Sequence, residues 1–539
     1  MRKYFLIFLF SFFTLFAAHS LYKTYPLWLL PSFDQGTARE IQKISEVVGI
    51  TNAYYVDSLD LDKTVTSGIQ GMLESLDPHS HYFSPREGQA NDESFDGKYQ
   101  GVGIQYDVID GKINVITVIP NAPAERVGVQ SGDHIVEIDG KSVIGIDPAD
   151  VPKRLKGPKG TTVKIGVERS GFDELLYFTL ERDEIPIFTI NTFFMANDST
   201  GYVWVNRFAS TTSEELENAM ITMERNGMKQ LVLDLRSNGG GFLKEAVKMV
   251  AKFIPGHKLV VYTKGRLPET DNEYYTDDFG PTHTRDIPLI LLINEASASA
   301  SEIVSGALQD YDRALIVGQH SFGKGLVQNE FELNDGARLR LTVSKYYTPS
   351  GRLIQRPYKD KSIQDYYKDA YDSTSAVYDS TKRPKYHTSA GRVVYGGGGI
   401  SPDVPVKLTT ISLEPKLTQK LYGKRIFYEF AADYVNRHKA IKDDLEEFLT
   451  NFYLTRAEWQ RFKKRAAEAD ISATDRQWRH DKAFLANRIK AEIARNIWSS
   501  KAYWRVILEY DNQLDRALAL FEKAREFTQA AKRAPEKSD

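Results

Sequence analysis

Apolar residues recur at three- and four-residue steps near the start of the chain. Ile41, Ile44, Val47 and Val48 precede an Asp- and Tyr-rich break, and Val65, Ile69, Met72 and Leu73 follow it. That period predicts two helices. Ser84 to Gly97 is polar and acidic without a period, and reads as a linker. Beyond Gly97 short alternating runs sit between turns: Ile113–Ile119, Asp133–Ile138 ahead of Asp139-Gly140, and Thr162–Glu168. These predict a compact β-rich module of about 85 residues, ending near Asp183.

From Ile185 to Val406 strands alternate with helices. Gly201–Asn206 and Gln230–Leu235 are apolar strands, the second running through Arg236-Ser237-Asn238-Gly239-Gly240-Gly241 into a helical stretch. Ile287–Ile293 is a buried strand leading to a small-residue helix start at Ser297. The alternation predicts a mostly parallel or mixed sheet covered by helices. Gly396–Gly399, after Tyr395, reads as flexible punctuation, and after Leu408 the chain turns helical and charged. No tandem repeat is evident. The expected divisions are a leader over 1–30, a helical region over 31–96, the β-rich module over 97–183, the α/β body over 184–408 and a helical region over 409–539.

The leader joins a basic start, Arg2-Lys3, to an apolar run from Phe5 to Ala18, with a small-x-small site at Ala18-His19-Ser20. It reads first as a cleaved signal peptide and second as a membrane anchor, because Leu21–Leu30 extends the run towards the ~20 residues a spanning helix needs. Either form exports the body, and the second ties it to a membrane.

Composition narrows the chemistry. Apolar residues make up 42% and charged residues 26% of the 539, a globular balance that excludes wholesale disorder. Net charge is −2, from 70 basic and 72 acidic residues, which argues against nucleic acid as a partner. From Ile411 onward there are 26 basic and 20 acidic residues, so +6 in the tail faces −8 elsewhere. The mixed signs read as solvated helix faces, with an adaptor or self-association as the other use of such a tail. There is no cysteine. That removes disulfides, thiolate-bound zinc, iron–sulfur clusters and a thiol nucleophile.

Gly318-Gln-His-Ser-Phe-Gly323-Lys324 nearly completes a P-loop, but Gly325 replaces the magnesium-binding hydroxyl and Leu326–Leu333 reads as a strand. Without a following helix N-terminus there is no phosphate cradle. His79-Ser80-His81 has no third ligand at metal spacing and reads as a turn after Asp77-Pro78. The run Ser297-Ala-Ser299-Ala-Ser301-Glu302 lies at a strand-to-helix junction, where backbone amides and the helix dipole face a presented hydroxyl. That setting suits a serine nucleophile with an oxyanion-binding amide beside it, and the Asn238–Gly241 loop offers a second amide. There is no Gly-x-Ser-x-Gly elbow and no matching histidine. Lys324, between Gly323 and Gly325, is the available base once burial lowers its pKa. Local chemistry alone does not choose among Ser297, Ser299 and Ser301.

Seven stretches carry a resemblance. They are Tyr55-Val56, Gly71–Ser80, Gly101-Val102-Gly103-Ile104, Asp234-Leu235-Arg236-Ser237-Asn238-Gly239-Gly240-Gly241, Ser297–Ile303, Phe322-Gly323-Lys324-Gly325-Leu326-Val327-Gln328 and Tyr347–Arg352. In this order and spacing the chain resembles the carboxyl-terminal processing proteases, the S41 family of serine peptidases, from about Ile41 to Val406. The resemblance implies an α/β multidomain fold: an N-terminal helical segment, a PDZ-like module before a mixed α/β catalytic domain of the crotonase/ClpP-like kind, and a helical C-terminal region. It implies Ser299 as nucleophile, Lys324 as its base, Gln328 orienting the lysine, and Ala300 with Gly240 and Gly241 as the oxyanion hole. It also implies that Gly101, Val102, Gly103 and Ile104 hold a peptide carboxylate. The expected activity is endopeptidase cleavage of exported proteins near a free C-terminus, in or facing a bacterial periplasm, with neither metal nor organic cofactor. The competing expectations are a catalytically silent peptide-binding scaffold and a hydrolase or transferase of small acyl compounds.

Overall fold

The computed structural model describes residues 34–533 except 110, 170–171, 373–378, 380 and 439–443. The leader over 1–30 lies outside the described residues. No helix among the described residues is long and apolar enough to cross a membrane.

The chain forms two compact units that divide after Leu76. In the first, Asp34 caps the Gln35–Tyr54 helix and Asp60 caps the Leu61–Glu74 helix, each carboxylate accepting a first-turn N–H. The predicted pair of helices is present.

In the second unit β1 (His81–Phe83) leads into a helix over Pro85–Asp96, where the polar pattern predicted a linker. Three local signals start and stop it: the Ser84/Glu87 capping box, Pro85 in the first turn, and Gly97 at φ 75° as its left-handed C-cap. Of its residues only Gly88 is buried, so no apolar stripe betrays it.

The β-rich module follows. Strand β2 (Lys98–Gly101) is its entry, then β3 (Ile104–Ile109), β4 (Lys112–Val118), β5 (His134–Ile138), β6 (Lys141–Ser142), β7 (Thr162–Glu168), β8 (Leu176–Glu181) and, on exit, β9 (Asp183–Pro186). Entry and exit pair antiparallel, Gly101 opposite Asp183, which brings the module's two ends together. Its sheet runs β3-β4-β5-β7-β8 with β6 on β5, so β3 is an edge strand. Val102, Ile104, Ile113, Val115, Ile135, Val163 and Leu180 belong to its separate core.

The central sheet has the order β10-β11-β12-β15-β16-β21. Strands β10 (Ile190–Asn197), β11 (Thr200–Val205) and β12 (Gln230–Asp234) come first. A third sheet interposes β13 (Leu259–Gly265) and β14 (Asn272–Tyr275) before β15 (Leu289–Ile293) and β16 (Leu315–Gly318) return to the centre. Within this sheet β11, β12, β15, β16 and β21 are mutually parallel, and only β10 runs against its neighbour. The third sheet is completed by β17 (Leu326–Glu332) and β18 (Arg338–Tyr347), with β1 and β13 beside β18. A small hairpin, β19 (Lys385–His387) with β20 (Val393–Tyr395), precedes the edge strand β21 (Val404–Pro405). The Gly396–Gly399 run between them is pinned rather than loose: Gly397 and Gly399 donate to the carbonyls of Leu353 and Ile354, at 2.7 and 2.9 Å.

Alternation along the parallel strands fills both faces, as a sheet buried on both sides requires. One face, with Leu231, Leu233, Leu289 and Leu291, packs on the helices Thr212–Arg225, Leu243–Ala251 and Ala300–Asp310. The other, with Tyr202, Val232, Ile290, Leu292, Leu315 and Val317, is covered by Leu508, Leu514, Ala517, Leu520, Phe521 and Ala524. The C-terminal helices are therefore the third layer of the sandwich and not solvated on all sides. Each fully buried Leu or Phe there is worth roughly 1.5–3 kcal/mol. Residues Leu417 to Val506 form a further core around Trp459, Phe462 and Trp478. The expected fold class, a β-rich module with a mixed α/β body and a helical C-terminal region, is the observed one.

Candidate active site

Strand β15 ends at Ile293 and the helix over Ala300–Asp310 begins seven residues later, with Ser299 at its N-cap. Ser299 has φ 55° and ψ −113°, a region that costs a non-glycine residue on the order of 1–3 kcal/mol and persists only where the surroundings enforce it. The neighbouring hydroxyls are occupied. Ser297 Oγ donates to the Leu235 carbonyl at 2.8 Å and Ser301 Oγ to the Asn238 carbonyl at 2.9 Å, both buried. Ser299 alone of the three is partly exposed.

Two buried groups brace this elbow to the loop after β16. The Glu302 carboxylate accepts four donors: Ser299 N–H at 2.9 Å and Lys324 N–H at 2.8 Å on Oε2, Ser321 Oγ–H at 2.5 Å and Gly323 N–H at 2.7 Å on Oε1. Burial pushes its carboxyl up, and these donors oppose the rise. The Tyr346 hydroxyl, on β18, lies 2.7 Å from the Lys324 carbonyl and 3.1 Å from the Ser299 carbonyl. Ser299 and Lys324 are thus fixed through their backbones to the same two side chains.

Lys324 Nζ donates to Gln328 Oε1 at 2.8 Å, and Gln328 Nε2 donates to the His79 carbonyl at 2.5 Å. Burial brings the Lys324 ammonium down to about 8, the Arg340 guanidinium adds to the fall, and Asp77 and Glu302 oppose it. The three predicted residues Ser299, Lys324 and Gln328 therefore meet in one hydrogen-bonded cluster. Two of its members escaped sequence reasoning. Tyr346 and the His79 carbonyl act on backbone or through backbone, and only the Ser-x-x-Glu spacing of Ser299 and Glu302 hinted at the bracing carboxylate.

The glycine loop after β12 closes on the same elbow. A Cβ at Gly240 (φ 100°) would lie 2.7 Å from Ser299 Cβ and 3.0 Å from Ala300 N, so no side chain fits there. A Cβ at Gly241 would strike the Phe208 carbonyl at 2.0 Å. Buried Asn238 knits the two segments: its carbonyl accepts Ala298 N–H at 2.9 Å, and its Oδ1 accepts Gly240 N–H at 2.9 Å. Ala300 opens its helix at the first helical position, where N–H groups have no intrahelical partner.

Gly101–Ile104 lie apart from this cluster, between β2 and β3 in the module. Gly103 has φ 79° and a Cβ there would meet Ala122 Cβ at 2.1 Å; its carbonyl accepts Ile119 N–H at 2.9 Å. The turn is tight and built for glycine, and it opens directly onto the edge strand. His79, the first half of the rejected metal motif, sits among Phe322, Tyr366 and Tyr367, with Nε2 3.0 Å from Tyr366 Oη. Burial, then the Lys324 charge, pushes it down to about 3, so its ring is neutral in the working range.

Comparisons with known proteins show which families the chain resembles. Residues 199–364 match peptidase family S41, 115–169 match a PDZ domain, and 417–499 match a family of unknown function. A carboxy-terminal-processing protease of Bartonella bacilliformis is 35% identical over 326 residues, 60% of this chain and 74% of that one. The carboxy-terminal processing protease CtpA of Bacillus subtilis is 31% identical over 349 residues, 63% of this chain and 73% of that one. Among solved structures, a photosystem II D1 C-terminal processing protease is 27% identical, covering 67% of this chain and 85% of that one at a TM-score of 0.33. Fold and sequence together define a PDZ-bearing serine-type peptidase. The chain belongs to peptidase family S41, among its carboxy-terminal processing proteases.

Proposed function

We propose that the chain is an endopeptidase that cleaves exported proteins near their C-termini with a Ser299–Lys324 dyad. The observation that carries the reading is Lys324 itself, buried enough to lose its proton near pH 8 and hydrogen-bonded to Gln328, on a backbone that shares Glu302 and Tyr346 with Ser299.

The chemistry follows from that setting. Neutral Lys324 accepts the Ser299 hydroxyl proton as Oγ attacks the scissile carbonyl. Negative charge gathers on the carbonyl oxygen, where the Ala300 N–H and an amide of the Gly240–Gly241 loop stabilise it. The Gly240 N–H serves only by leaving Asn238 Oδ1. Collapse breaks the C–N bond, Lys324 returns its proton to the leaving amine, and the same base then activates water to release the acyl-enzyme.

Substrate choice is assigned to the module. An extended peptide adds to the free edge of β3, with its carboxylate against the Gly101-Val102-Gly103-Ile104 turn. On the same reading the 1–30 leader is an export signal, so the body works in a periplasm or tethered facing it. The testing experiment is cleavage of a peptide with a free, apolar C-terminus by the parent and by Ser299→Ala. Loss of cleavage with an unchanged Tm supports the assignment, and undiminished cleavage ends it.

A further inference from the structure

The segment Asp77-Pro78-His79-Ser80 is the part of the cluster to which the reaction so far gives no role. It is a tightly capped turn: Asp77 Oδ1 accepts the N–H of His79 at 2.8 Å and of Ser80 at 2.9 Å, and Asp77 Oδ2 accepts Ser80 Oγ–H at 2.6 Å. Asp77 and Ser80 are both buried. Ser80 Oγ in turn accepts the Thr342 N–H of β18 at 3.2 Å. Thr342 is the residue opposite Gln328 across the β17–β18 pair. The register shifts at this point, Val327 opposing Ser344 and Gln328 opposing Thr342, so β18 carries one extra residue beside Gln328. Such a bulge re-aims the side chains next to it.

The turn thus delivers one group, the His79 carbonyl, to the amide of Gln328. A backbone carbonyl only accepts, while a glutamine amide has a donor end and an acceptor end. With Nε2 held on His79 O, Oε1 must face Lys324. A flipped amide would set two acceptors against each other at His79 and, with Lys324 protonated, two donors against each other there; with Lys324 neutral it would occupy the lone pair that the base needs. The orientation matters to a base. When Nζ is neutral, one N–H stays on Oε1 and the lone pair is left for the Ser299 proton.

Resting on the dyad reading above, we infer that Asp77 and Ser80 are positioning residues for the general base, acting through the His79 carbonyl and Gln328. They touch neither substrate nor the reacting atoms. The charged and titratable groups facing Lys324 are Arg340 from β18, Asp77 and His79 from the turn, and Glu302 from the helix after Ser299. Ser80→Ala removes none of these charges, although Asp77 Oδ2 loses a donor, whereas Asp77→Asn removes a charge outright. Ser80→Ala is therefore the cleaner probe.

The test is a double-mutant cycle on the full chain, read by peptide cleavage. Ser80→Ala is expected to lower kcat by roughly 10- to 100-fold at unchanged KM, the scale of a misplaced catalytic group. Ser80→Thr, which restores the hydroxyl, is expected to restore kcat. In a Gln328→Ala background Ser80→Ala is expected to cost nothing further, because the path it acts through is gone. The acid limb of kcat/KM should move to lower pH in Ser80→Ala, as the ammonium loses a fixed acceptor. Equal fractional losses with and without Gln328, or parental kcat in Ser80→Ala, overturn the inference. If Ser80→Ala does not fold, Asp77→Asn takes its place in the same cycle. Ser299→Ala separates the two levels: if it still cleaves, the dyad reading fails; if it is dead while the cycle is additive, only the turn's role fails.

Discussion

Ser299 and Lys324 stand 25 residues apart in the chain, yet one oxygen, Oε2 of Glu302, accepts the backbone N–H of both, at 2.9 and 2.8 Å. The two reacting side chains thereby hang from a single buried carboxylate. Replacing it by an amide puts an N–H₂ group against at least one pair of donors. Glu302→Gln is expected to cost roughly 1–3 kcal/mol for each donor left unsatisfied. It should lower kcat by more than its loss of stability explains at 25 °C. Urea unfolding alongside peptide cleavage checks both numbers.

A base that titrates near 8 sets the pH dependence. Below that value Lys324 is protonated and cannot take the serine proton, so kcat/KM is expected to rise about tenfold per unit up to about pH 8 and then level. Lys324→Arg should be inactive throughout, because a guanidinium stays charged.

The same depressed pKa burdens stability. The unfolded chain holds the Lys324 proton up to its ordinary value of 10.5, while the folded chain gives it up near 8. The penalty is therefore fully present below 8 and is relieved as pH rises towards 10.5. Lys324→Met is expected to be more stable than the parent at pH 7, with the difference shrinking between pH 8 and 10.5. Denaturant midpoints across that range are the measurement.

Glycine is demanded at Gly240 and Gly241 but not at Gly239. Gly240→Ala forces a Cβ to 2.7 Å from Ser299 Cβ and is expected to lower kcat about 10²- to 10³-fold, the scale of losing an oxyanion donor. A Cβ at Gly239 meets nothing within 4 Å, so Gly239→Ala should keep most of the activity. Equal losses in the two variants would remove the close approach as the cause.

The C-terminal layer makes a prediction of its own. Phe521, 3% exposed, packs beneath the sheet with Ile290 and Leu292, and Phe521→Ala is expected to cost about 3–5 kcal/mol by urea unfolding. A cost near zero would mean that the tail is dispensable to the sheet.

Much of this was legible in the residues. The buried run at Leu289–Ile293, the serine-rich helix start after it and the isolated Lys324 all announce themselves locally, because strand, elbow and base each depend on a few adjacent positions. What stayed hidden acts at a distance. Ser297, Ser299 and Ser301 look alike until the carbonyls of Leu235 and Asn238 are seen to engage the first and third. The Pro85–Asp96 helix buries almost nothing, so its caps and not its period mark it. The tail's mixed charges masked the Leu514, Ala517 and Phe521 stripe, which needs the sheet beneath it to have a meaning. His79 reads as part of a turn after Asp77-Pro78, as it is, while its contribution to the site is a backbone carbonyl that no side-chain pattern displays.

Chemical rescue tests the dyad most directly. Lys324→Ala should cleave no peptide alone, and added small primary amines should restore cleavage in proportion to their free-base concentration, while Ser299→Ala stays inert under the same amines. Parental cleavage by Lys324→Ala without any amine would contradict the assignment of Lys324 as the base.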